Sequence, residues 1–109
     1  MKFEWNEDKN TLNKQKHGIS FEEAKEIFDD ALHISKLDKR FSYFEERWIS
    51  LGASKTNKIL VVANLFFTNE GEEIIRIISA RKANKQERES LLQLLILCLT
   101  DIQIQKMEY

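Results

Sequence analysis

The stretch Ile59-Leu60-Val61-Val62-Ala63-Asn64-Leu65-Phe66-Phe67-Thr68-Asn69-Glu70-Gly71-Glu72-Glu73-Ile74-Ile75-Arg76-Ile77-Ile78-Ser79-Ala80 decides the fold class. Ile59 to Phe67 is a nearly continuous apolar run and Glu73 to Ala80 is rich in isoleucine, and both suit strands. Asn69-Glu70-Gly71 between them carries turn chemistry, so the two runs are expected to close as an antiparallel hairpin. Upstream, Tyr43 to Leu51 alternates loosely and reads as another strand, with Gly52 and Thr56-Asn57 marking the turn after it. Leu32-His33-Ile34-Ser35 reads as a short strand and Lys36 to Ser42 as a loop.

The N-terminal third follows a different period. Phe3-Glu4-Trp5 is a short strand pattern, and Asn6 caps a first helix that includes Leu12 and ends at Gly18. Ser20 with Glu23 forms a capping box for a second helix, whose apolar face is Phe21, Ala24, Ile27, Phe28 and Ala31. Asn84 with Glu87 repeats that signature at the start of a last helix. The order predicts an α+β fold: an antiparallel sheet with two N-terminal helices and a C-terminal helix, all packed on one face.

A chain of 109 residues fits one domain, here taken as residues 1–109. Its 42% hydrophobic and 32% charged content is that of a globular protein, and there is no proline, repeat or linker. The longest apolar run, Leu91 to Leu99 broken by Gln93, is shorter than the roughly 20 residues that cross a bilayer, so no membrane partner is expected. Met1-Lys2-Phe3-Glu4-Trp5 has no signal-peptide core, which predicts a cytoplasmic protein. The single Cys98 excludes an internal disulfide. Two distant histidines and that cysteine make no metal-ligand spacing, and three glycines leave no room for a phosphate loop, so neither metal nor cofactor is expected. The net charge of −1 hides a polarised distribution. Glu22, Glu23, Glu26, Asp29 and Asp30 stand against Lys25, whereas Arg76, Arg81, Lys82, Lys85 and Arg88 stand against Glu87.

Several local pieces, in this order and spacing, resemble the BrnT toxin family. They are Phe3-Glu4-Trp5, Lys16-His17-Gly18-Ile19-Ser20-Phe21-Glu22-Glu23-Ala24, Ile27-Phe28-Asp29-Asp30, Glu46-Arg47 followed by Gly52, and Arg76-Ile77-Ile78-Ser79-Ala80-Arg81-Lys82-Ala83. The resemblance implies a RelE-like fold and metal-independent RNA cleavage. It also implies a cognate BrnA-type antitoxin encoded alongside, through which alone the toxin would meet DNA. The chain departs from the family after Ala83, where a leucine-rich segment replaces a polar helix carrying a tyrosine, and the nearest tyrosine is Tyr109.

Each candidate for that chemistry carries an alternative. His17 is of the residue type that serves as general acid or base in RNA cleavage, yet it also stands at a helix end whose carbonyls attract a cation. Glu46 would take a proton from the ribose 2′-hydroxyl and Arg47 would hold a phosphate, but strand neighbours point to opposite faces and form ordinary ion pairs. Arg76 and Arg81 would stabilise the charge of a pentavalent phosphate, with Lys82 adding RNA contact. Their separation of five puts the two arginines on opposite faces of a regular strand, and Arg76 could instead pair with Glu46 or another acid across the sheet. Beside a ribonuclease toxin stands a second reading, a non-catalytic partner of the antitoxin. Leu91 to Leu99 surrounds the last helix with apolar side chains, which predicts packing against a second copy or the antitoxin, unless Asp101 to Gln105 folds back over it.

Overall fold

The computed structural model of the chain describes residues 1–39 and 45–93. The expectations for Tyr43, Cys98, Tyr109, the leucine-rich part of the last helix after residue 93, and Asp101 to Gln105 fall outside them. Among the described residues five strands form one sheet: β1 (Lys2–Glu4), β2 (Ile34–Leu37), β3 (Trp48–Ala53), β4 (Ile59–Asn69) and β5 (Glu72–Lys82), in the order β1-β5-β4-β3-β2. The run β2 to β5 is an antiparallel meander, and β1 returns to pair in parallel with β5 through Glu4 and Arg76. The hairpin closes as its sequence predicts: Asn69 faces Glu72, and Glu70 and Gly71 between them both take positive φ, 52° and 80°. This two-residue geometry matches the twist of the strands it joins.

Helix α1 (Glu7–His17) starts on Asn6, whose side chain accepts the Lys9 N–H, and ends on Gly18 at φ 73°. Helix α2 (Phe21–Ala24) starts on Ser20, whose hydroxyl accepts the Glu23 N–H, and passes directly into a 3-10 turn over Lys25–Asp29. The second helix is thus shorter than its apolar spacing predicts, and Ala31 lies in an exposed turn beyond it. Asp30 stops it: one side-chain oxygen accepts the Leu32 N–H and the other the Ala53 N–H, which ties this corner to the end of β3.

Ile19, Phe21, Ala24 and Ile27 pack on Leu60, Val62, Ile77 and Ala80, with Phe3, Trp5 and Phe28 around them. This core face of the sheet carries α1 and α2. Gly52 lies within β3 rather than in a turn, because the 3-10 segment crosses it closely. A Cβ there would stand 2.9 Å from His33 Cβ and 3.1 Å from Ile27 Cβ. Gly52→Ala is therefore expected to destabilise the fold by about 1–3 kcal/mol through overpacking, read as a lower denaturation midpoint at unchanged slope.

The last helix, α3, covers residues 85–93 and opens with the expected box: Glu87 N–H donates to Asn84 Oδ1, and Asn84 N–H donates to Glu87 Oε1. It does not join the other helices. Gln86, Glu87 and Ser90 border a groove with Ile34, Ile49 and Leu51, residues that alternate with the core-face positions of β2 and β3. The sheet therefore carries helices on both sides, with α3 over the second face, opposite the core.

Candidate functional site

A β-bulge sets the geometry of the candidate site. In the β4–β5 ladder Ala63 faces Ser79 and Asn64 faces Ile77, which leaves Ile78 as an extra residue. Ile77 and Ala80 consequently both point into the core although three positions apart. The same shift reverses the expectation for the arginines. Arg76 and Arg81 share the second face, separated by four regular steps, about 13 Å of strand. Both are exposed where their neighbours Ile77 and Ala80 are buried.

Arg76 stands beside Glu4 of β1, with Nη1 3.8 Å from Oε1, so its acid across the sheet is Glu4 and not Glu46. Arg81 is held more tightly. Its Nη1 donates to Glu87 Oε1 at 2.7 Å and its Nη2 to Oε2 at 2.9 Å. Hydrogen bonding from Arg81 pulls the Glu87 carboxyl below the usual glutamate range, against an opposing effect of partial burial, and the Asn84 N–H adds to it. The same hydrogen bond raises Arg81 above its already high value, so both groups are charged throughout the neutral range.

The remaining candidates lie apart from this pair. His17 is the exposed last residue of α1, on the core-face side, and makes no side-chain hydrogen bond among the described residues. Lys82 faces Leu60, a core residue, so it emerges on that side too. Glu46 and Arg47 are not on a strand, since β3 begins at Trp48. The Arg47 carbonyl accepts the Asp38 N–H at 2.7 Å, which closes the β2–β3 connection. Trp48 faces Asn64 and Asn64 faces Ile77, so Arg47 is level with Leu65 and Arg76, two strand spacings or about 10 Å away. His33 has the structural role its apolar setting suggests: Nδ1 lies 2.8 Å from the Asp30 carbonyl and the ring makes a T-shaped contact with Phe28.

The chain matches the family model described as ribonuclease toxin, BrnT, of type II toxin-antitoxin systems over residues 5–87. The chain belongs to the BrnT toxin family. BrnT from Brucella abortus, known from a 1.1 Å crystal structure, shares the fold, with a TM-score of 0.57 and 24% identity over 78% of this chain and 99% of that one. A comparison with curated proteins found no match. Membership in a type II toxin-antitoxin family implies an antitoxin partner. Among the described residues no helix is long and apolar enough to cross a membrane.

Sequence reasoning passed over two polar clusters in this chain. Asn13 is nearly buried and joins α1 to β5 through both atoms of its amide. Ser35, Ser50 and Asn64 form a hydrogen-bonded row across three strands on the core face, with Ser50 and Asn64 fully buried and Asn64 Nδ2 left without a partner among the described residues. A lone asparagine inside the apolar run Ile59 to Phe67 was the available signal for the second cluster.

Proposed function

We propose that this chain is an active, metal-independent endoribonuclease whose phosphate-binding centre is the second face, with Arg76 and Arg81 as its cations and Arg47, two strand spacings from Arg76, as a further phosphate contact. The observation that carries the reading is the bulge at Ile78, which turns two guanidinium groups of one strand to the same side. Within the family membership, that pairing supplies fixed positive charge where a phosphorane would need it. The ribose 2′-oxygen bonds to the adjacent phosphorus, the bond from phosphorus to the 5′-oxygen breaks, and a 2′,3′-cyclic phosphate is left. Glu46 takes the proton of the 2′-hydroxyl, being free of strand alternation where the chain enters β3, and the departing oxygen is protonated by water. His17 stands at the C-terminal end of α1 on the core-face side and takes no part in the reaction. Lys82, on the other side of the sheet, adds only general attraction for RNA.

The test is incubation of the purified protein with RNA in excess chelator. Fragments ending in cyclic phosphate are expected. Intact RNA beside cooperatively folded protein would favour instead a non-catalytic partner of the antitoxin, and cleavage abolished by chelator would refute metal independence.

A further inference from the structure

We infer that Glu87 is an internal competitor for the RNA phosphate, holding the fork of Arg81 until an incoming phosphate displaces it. The inference rests on the phosphate role proposed above for Arg81. An arginine grips a phosphate by two parallel N–H bonds from its terminal nitrogens. Both of those nitrogens are already engaged by the two oxygens of one carboxylate, at 2.7 and 2.9 Å, and Nη1 also donates to the Lys82 carbonyl at 3.3 Å. Glu87 thus stands where the phosphate oxygens would stand.

The contact is built into the fold and is also weak enough to yield. Only six positions separate the two residues, and the capping box fixes Glu87 in the first turn of α3. The side chains remain 44% and 28% exposed, so water screens the pair and a doubly bonded phosphate can compete with it. A displaced carboxylate has somewhere to go. Glu87 borders the groove between α3 and the second face, where Lys36 and Lys39 also stand without an ion pair among the described residues. A proton-accepting role for Glu87 is disfavoured, because Arg81 holds its carboxyl below the usual range.

The measurement is the affinity of the full chain for a short single-stranded RNA made uncleavable by 2′-O-methylation, read by fluorescence anisotropy at low salt. Glu87→Gln keeps a capping-box side chain, so α3 is retained while the competing charge is lost. It is expected to bind RNA about two- to five-fold tighter, the scale of an exposed ion pair. Glu89→Gln removes the same charge two positions on and should gain less, and Arg81→Ala combined with Glu87→Gln should gain nothing over Arg81→Ala. Weaker binding by Glu87→Gln, or an equal gain in Glu89→Gln, overturns the inference while leaving Arg81 as a phosphate ligand. No effect of Arg81→Ala on binding would refute the parent reading instead.

Discussion

Replacing Asn13 with alanine is expected to cost the fold about 3 kcal/mol, more than any other single polar substitution in the described residues. Strand β1 pairs with β5 only as far as Glu4 and Arg76, so among the described residues the edge of β5 beyond it has no neighbouring strand. The Asn13 amide takes that place. Its Oδ1 accepts the Ala80 N–H at 3.1 Å, and its Nδ2 donates to the Ala80 carbonyl at 2.8 Å and to the Ile19 carbonyl at 2.8 Å. Asn13 and Ala80 are nearly inaccessible, at 7% and 1%, so alanine would leave one N–H and two carbonyls unpaired inside the protein. Each such group costs about 1–3 kcal/mol, and water entering the vacated space recovers part of the sum. Urea denaturation of Asn13→Ala checks the figure. A loss under about 1 kcal/mol would mean that water replaces the amide in full.

Asn13 also shows where the sequence stops being readable. The caps at Asn6, Ser20 and Asn84 and the turn at Glu70-Gly71 were legible because each depends on residues within a few positions of one another. The face of α1 was not. Its one apolar interior residue, Leu12, is 62% exposed, and the residues it buries are Asn10 and Asn13, so hydrophobic periodicity gave no guidance. Gly52 read as a turn because its real cause, the approach of Ile27 and His33, lies in another element. The candidate site was legible in residue type and illegible in geometry. Strict alternation separated Arg76 from Arg81, and the bulge that unites them exists only in the pairing of β5 with β4. The position of α3 on the second face was hidden for a similar reason: a capping box tells where a helix begins and nothing about which side of the sheet receives it.

Alanine at Arg76 and Arg81 together is expected to lower the single-turnover rate of RNA cleavage by about 10²–10³-fold or more, since removing even one preorganised donor at a developing anion costs that much. Stability should hardly change, because both arginines sit in exposed pairs, Arg76 with Glu4 at 50% and 39% exposure and Arg81 with Glu87 at 44% and 28%. The pair of outcomes separates a lost function from a lost fold. Binding gives an independent reading: each phosphate contact to a single strand contributes about 0.7 to the salt slope, so the double variant should lose roughly 1.4. Arg81→Lys keeps the charge without the fork and should fall between the parent and Arg81→Ala. His17→Ala serves as the opposite control, since His17 projects from the core-face side of the sheet. If cleavage follows His17 and ignores the two arginines, the reaction takes place on the side of α1, and the second face has no part in it.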